Sequence, residues 1–215
     1  MWYYEKRLEY PVNIKTPNAK LAQVILSQYG GPDGEMGASM RYLSQRYTSP
    51  NGTVSAVLTD VGTEELAHLE IVATLIHQLT RGLSPEEIEK AGFAPYYADH
   101  TIGVWPQAAG GAPFCATEFQ STGDPLTDLS EDLAAEMKAR TTYDNILRLV
   151  KDPDVTDVIR FLRAREVVHF QRFGEAMRSV QDDLDARNFY AFNPGFDAPT
   201  ACFAPKNNEC GCDCE

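Results

Sequence analysis

No stretch of this sequence is apolar for the roughly 18 residues a membrane-spanning helix requires. The first residues, MWYYEKRLEYP, carry no apolar run after their charges, so no secretory leader is read there. Basic residues are scarce. Nineteen Lys and Arg face 31 Asp and Glu, for a net charge of −12, which disfavours nucleic-acid binding through basic surface. Cysteine is nearly missing from the first 200 positions, where Cys115 stands alone, so that region is not a disulfide scaffold. These absences leave a soluble, cytoplasmic chain as the expectation, with neither nucleic acid nor membrane as partner.

The sequence does have enough apolar residues, 43% of 215, to bury a core without staples. Four long helices are predicted in an all-α chain. The first spans 16–47, with Thr16 and Pro17 suited to its start and a kink expected at Gly30-Gly31-Pro32. The second spans 53–81, with a core stripe of Val54, Leu58, Val61, Glu65, His68, Val72, Leu75 and Leu79. The third spans 128–150, with Leu129, Leu133, Glu136, Arg140, Tyr143, Leu147 and Val150 on its stripe. The fourth spans 153–184, capped by Asp152, with Val155, Ile159, Leu162, Glu166, His169, Phe173, Ala176 and Val180. Steps of three and four keep each set on one helix face.

A connection of some 46 residues, 82–127, separates the second and third helices. It holds one short helix opened by Ser84-Pro85-Glu86-Glu87 and closed by Gly92. It is long enough to run the length of a bundle, as the crossover of ferritin-like folds requires. The bundle is thus expected over 1–186. An irregular, Cys-rich tail follows at 187–215, with Cys202, Cys210, Cys212 and Cys214 as accessible thiols or sites of intermolecular bonding.

Charged residues stand on the apolar stripe of every long helix, near its middle. A buried carboxylate costs several kcal/mol unless paired or metal-bound. Glu65 and His68 share a helix face at i, i+3, as do Glu166 and His169. Glu35 and Glu136 each add a carboxylate from another helix. One Glu from each of two helices, with Glu-x-x-His from the other two, is the dimetal carboxylate pattern. The spacing strengthens it. Glu35 and Glu65 are 30 positions apart, as are Glu136 and Glu166, and Glu35, Glu65 and His68 recur 101 positions later as Glu136, Glu166 and His169. Two helix pairs repeat one layout about a pseudo-twofold axis. Oxygen-rich ligation with one imidazole per metal suits manganese or iron, and the ligands alone leave that choice open. Glu64, Glu70 and Glu175, beside the stripes, are read as solvated or salt-bridged.

The chain resembles the manganese catalases, and within them the shorter spore-coat branch. The resemblance rests on Gly30-Gly31-Pro32-Asp33-Gly34-Glu35, on Met40-Arg41-Tyr42-Leu43-Ser44-Gln45, on Thr63-Glu64-Glu65-Leu66-Ala67-His68-Leu69-Glu70, and on Glu136 with Glu166 and His169. It covers about residues 1 to 195. It implies a ferritin-like four-helix bundle holding two manganese ions per chain. Glu35, Glu65 and His68 would hold one ion and Glu136 and His169 the other, with Glu65 bridging. Glu166 would be an acid–base group rather than a ligand. Tyr42, on the face of Glu35, joins Glu166 in the candidate catalytic set as a hydrogen-bond donor near the metals. The implied reaction turns hydrogen peroxide into water and dioxygen through a Mn(II)₂/Mn(III)₂ cycle, in a homohexamer. Incorporation into the spore coat, beside other coat proteins, is a further expectation. Two other readings use the same ligands: a di-iron oxidase or peroxidase, and a coat or assembly protein with a mainly structural metal site. One departure stands out. Some members carry an Arg just before the third-helix Glu, where this chain has Ala135; Arg165 or Arg140 is the candidate substitute.

Overall fold

The structure is a computed structural model, and it describes residues 5, 7–101 and 103–186. The predicted cysteine tail, residues 187–215, lies outside these described residues. Every regular element among the described residues is helical. In chain order they are α1 (Ala19–Ile25), α2 (Ser27–Gly30), α3 (Glu35–Gln45), α4 (Gly52–Thr80), α5 (Pro85–Lys90), α6 (Ala94–His100), α7 (Pro125–Leu149) and α8 (Pro153–Ala186), with 3₁₀ turns at Arg46–Thr48 and Ala116–Phe119. Two helix pairs, α3 with α4 and α7 with α8, form the four-helix bundle, and α4 packs on α8 to join them. The order of these pairs and the long α4–α7 crossover give the ferritin-like topology.

The first long helix departs most from the sequence expectation of 16–47. Its cap is Asn18, whose side chain accepts from the Leu21 amide, rather than Thr16. It is broken, not kinked, and α3 starts afresh at Glu35. The break falls where Gly31 turns extended (φ −75°, ψ 172°) before Pro32, and the preceding Gly30 lies against the crossover. A Cβ there would fall on the backbone of Pro106 and Gln107 in the crossover, so only Gly lets the two chain segments approach. The break puts Glu35 in the first turn of α3.

The third predicted helix starts three residues early, because Asp124 caps it and Pro125 occupies its first turn. Its buried face is also rotated. Asp132, Ala135, Ala139 and Ile146 are buried beside Leu129, Glu136 and Tyr143, whereas Leu133, Arg140 and Leu147 are half-buried. Small alanines let α7 lie close to its neighbours, and Arg140 turns outward to Asp144 at 2.9 Å. The crossover carries a second short helix, α6, that the sequence pattern does not announce. Its N-cap, Phe93, makes no side-chain capping bond, so it leaves no start signal.

Buried apolar residues fall into two groups. One, at the end of the bundle around Ile71, Leu75, Leu79, Ile146, Ile159 and Leu162, also takes in Ile25, Leu26, Ile88 and Phe93. The other contains Tyr42, Val54, Leu58, Val61, Leu129, Phe173 and Val180. Along α4 the interval between them is Glu65 and His68; along α8 it is Glu166 and His169. The fold therefore seals a polar layer with apolar packing at both ends.

Candidate metal centre

All six sequence-predicted residues meet in that layer. Glu35, Glu65, His68, Glu136, Glu166 and His169 are each 2% exposed or less. Their ligand atoms form two overlapping groups. Glu35, Glu65, His68 and Glu166 make one, and Glu65, Glu136, Glu166 and His169 the other, with all atoms of each group within 4.8 Å of one another. Glu166 belongs to both, and so does Glu65. The two oxygens of Glu65 lie 2.8 Å from Nδ1 of His68 and 2.7 Å from Nδ1 of His169. Glu35 Oε2 is 3.9 Å from Nδ1 of His68, and Glu136 Oε2 is 3.5 Å from Nδ1 of His169. The two imidazoles lie nearly parallel, with centroids 5.4 Å apart.

The donor set fits a pair of cations. Several buried atoms converge without a hydrogen bond of proper geometry: Glu65 Oε1, Glu136 Oε2, Glu166 Oε1 and both ring nitrogens of His169. The ion pairs of Glu35, Glu65 and Glu136 among the described residues are all with histidine. Four carboxylates this deep need positive charge to remain ionised. The protonation pattern reflects that demand. Burial first, then the neighbouring carboxylates, pushes Glu166 well above the usual carboxylate range. Burial and the charge of Glu65 do the same to Glu35. Against the upward push of burial, the charges of His169 and His68 hold Glu65 well below that range. Against the downward push of burial, Glu65 raises His68 to about 10 and His169 to about 12. Each imidazole turns Nδ1 toward Glu65, where a bound metal would take the place of an Nδ1 proton.

Two tyrosines hold the outer carboxylates. Tyr42 on α3 donates to Glu136 Oε1 on α7 at 2.5 Å. Tyr143 on α7 donates to Glu35 Oε1 on α3. Tyr42 therefore reaches across the bundle instead of serving Glu35, its neighbour on α3. Sequence reasoning places Tyr143 on its stripe and gives it no part in the site. The signal is nonetheless present, since Tyr42 and Tyr143 stand the same 101 positions apart as the ligands.

Glu64 also does more than its sequence position suggests. Its carboxylate pairs with Arg165 at 2.6 Å, as a salt-bridged reading requires, but it also approaches Nε2 of both histidines. Arg165 thus faces the outer side of the imidazoles, and Arg140 is engaged with Asp144, so neither arginine takes the place vacated at Ala135. That place is open. A cavity of about 10 Å³, room for about one water, is lined by Ala38, Ala135 and Ala139 and by Glu35, Glu136 and Glu166. Asp33 and Arg41 also line it. Arg41 is fixed by the crossover, donating to the carbonyls of Phe119 at 2.8 Å and Glu118 at 2.6 Å.

Fold and site together define a ferritin-like bundle with a candidate carboxylate–histidine metal centre. The sequence profile of one such family, manganese containing catalase, matches residues 1–189, and the chain belongs to that family. It is 46% identical over 190 residues to protein CotJC of Bacillus subtilis, covering 88% of this chain and all of that one. It is 31% identical to a probable manganese catalase of Clostridium acetobutylicum, over 88% of this chain and 85% of the other. Among solved structures, KatB, a manganese catalase from Anabaena, superposes with a TM-score of 0.77 at 30% identity, covering 84% of this chain and 81% of that one. The metal implied by the family is manganese, and its substrate is peroxide. No helix among the described residues is long and apolar enough to cross a membrane.

Proposed function

We propose that this chain is a dimanganese catalase that converts two hydrogen peroxide molecules to two waters and one dioxygen. The observation that carries the reading is Glu65, one buried carboxylate whose two oxygens face two histidines, each backed by a further glutamate. Glu35, Glu65 and His68 would hold one ion, and Glu65, Glu136 and His169 the other. Manganese held there would supply a Mn(II)₂/Mn(III)₂ couple for the two-electron oxidation of one peroxide and the two-electron reduction of another.

The protein's own part is proton handling and access. One peroxide must lose two protons and the other must gain them, so a carboxyl group beside both ions is needed to hold a proton between half-reactions. Glu166 suits that role. It lies among the ligand atoms of both groups, its Oε1 has no hydrogen-bond partner among the described residues, and its burial favours the protonated form. Tyr42 and Tyr143 act as positioning residues, since each hydroxyl is committed to a ligand carboxylate. The alanine-lined cavity beside Glu166, with room for about one water, leaves space against that carboxyl only for a small molecule.

The assembly reading is a homohexamer, supported by the family match. Incorporation into the spore coat is supported by the resemblance to the spore-coat branch, together with the match to all of protein CotJC over 88% of this chain. The decisive experiment joins metal analysis to an oxygen electrode. Protein purified without added metal is expected to carry manganese and, once loaded, about two Mn per chain, and to release oxygen from peroxide without reductant. Iron in the purified protein with reductant-dependent turnover would overturn the assignment in favour of a di-iron oxidase.

A further inference from the structure

We propose that Glu64, anchored by Arg165, is a positioning residue that orients both imidazoles of the centre from their outer side. The inference rests on the dimetal reading above and extends it to the face turned away from the metals.

His68 and His169 lie side by side, with rings 21° from parallel. Each turns Nδ1 toward Glu65. Each turns Nε2 toward Glu64, whose Oε1 is 3.6 Å from His68 and 3.3 Å from His169. Adjacent residues on α4 thus clamp the two rings, Glu65 from inside and Glu64 from outside. An imidazole that gives Nδ1 to a metal keeps its proton on Nε2, and that N–H fixes the ring orientation through its acceptor. Both Nε2 atoms are buried without a hydrogen bond of proper geometry. Among the described residues, Glu64 is the carboxylate within 4 Å of both. Glu9, from the N-terminal segment, reaches only His68, at 3.6 Å.

Arg165 makes this possible. Its Nε donates to Glu64 Oε1 at 2.6 Å, and the two residues are 101 positions apart. They are therefore the same position in the two halves of the repeat, each immediately before a site glutamate. Perfect symmetry would place like charges face to face across the pseudo-twofold axis. The chain instead carries opposite charges there, so a single carboxylate, held by its own repeat mate, serves both rings.

The test uses full-length protein and Mn(II) alone as probe, with Mn(II) affinity measured by competition against a metal indicator. Helical content by circular dichroism confirms folding, and the paramagnetic resonance spectrum of the Mn(II) pair gives a second readout. Glu64→Gln is expected to fold and to bind Mn(II) about 10- to 100-fold more weakly, with an altered pair spectrum. Glu64→Arg and Arg165→Glu are each expected to lose more. The double exchange E64R/R165E is expected to recover most of that loss, because it rebuilds the pair across the axis. The proposal is overturned if Glu64→Gln binds Mn(II) like the unaltered protein, or if the double exchange binds no better than the single variants. A merely structural ion pair predicts lowered metal-free thermal stability with unchanged Mn(II) affinity, which also overturns it. Failure of the unaltered protein to bind Mn(II) would instead remove the dimetal reading itself.

Discussion

Tyr42 and Tyr143 exchange partners across the bundle, each donating its hydroxyl to a site glutamate on the other's helix. Both rings are fully buried, and burial followed by the nearby carboxylate pushes both phenols well above their ordinary range. They therefore remain donors. Replacing either with Phe leaves a buried carboxylate oxygen short of a partner, at a cost of about 1–3 kcal/mol. Tyr42→Phe and Tyr143→Phe are expected to lower the thermal midpoint of the metal-loaded protein by similar amounts, because the two bonds are repeat mates. A fall in only one variant would contradict the pseudo-symmetric account.

Glu166 and Glu65 predict different losses although both lie in the two ligand groups. Glu166→Gln keeps the shape but removes the exchangeable carboxyl proton. It is expected to retain two Mn per chain while oxygen evolution falls by about 10²- to 10⁴-fold. Glu65→Gln removes the charge shared by His68 and His169 and is expected to lose manganese itself. Metal analysis of both purified variants checks the assignment. Loss of manganese from Glu166→Gln would make that residue a ligand instead.

The 101-residue repeat shows which parts of the site are legible in the sequence. Glu65 and His68 are readable because Val61 and Val72 bracket them on one stripe, and Leu162 and Phe173 do the same for Glu166 and His169. Tyr143 is readable from its distance to Tyr42. Glu64 is not, because a position flanking a stripe is usually solvated, and only the approach of α4 to α8 brings Arg165 and two imidazoles against it. Periodicity misplaces the face of α7 at Leu133 and Arg140, since burial there follows Asp132 and the alanines. Asp132 pairs with Gln45 Nε2 of α3 at 2.9 Å, a contact between distant positions that periodicity along one helix does not reveal.

Removing the metals should make stability strongly dependent on pH. Glu166, Glu35 and Asp132 are raised, each chiefly by burial. The folded protein then holds protons that the unfolded chain releases near pH 4 to 4.5, so stability falls as pH climbs above that point. The histidines act in the same direction. Their folded values of about 10 and 12 exceed the ordinary 6.5, so their contribution is full below pH 6.5 and is lost as pH rises toward 12. Glu64 and Glu65 are depressed, so their contribution is present above about pH 4.5 and lost below it. The chelated protein is expected to melt highest near pH 5 and progressively lower up to pH 8, while the Mn-loaded protein changes little. Thermal melts with and without chelator check this. A chelated form that gains stability between pH 5 and 8 would refute it.

Gly30 links the crossover to the site, and its replacement tests whether that link matters. A Cβ at Gly30 meets backbone atoms of Pro106 and Gln107, which cannot rotate away as a side chain could. Gly30→Ala is therefore expected to cost about 1–3 kcal/mol through overpacking. Gly52 is the control. It starts α4, and a methyl group there would meet nothing within 4 Å, so Gly52→Ala is expected to be neutral or to stabilise by up to about 1 kcal/mol. The crossover also supplies the Glu118 and Phe119 carbonyls that hold Arg41 at the cavity wall. If Gly30→Ala shifts that segment, peroxide turnover should fall while manganese content holds, since none of the candidate ligands lies on the crossover. Equal losses of metal and turnover would show instead that the break before α3 has moved Glu35.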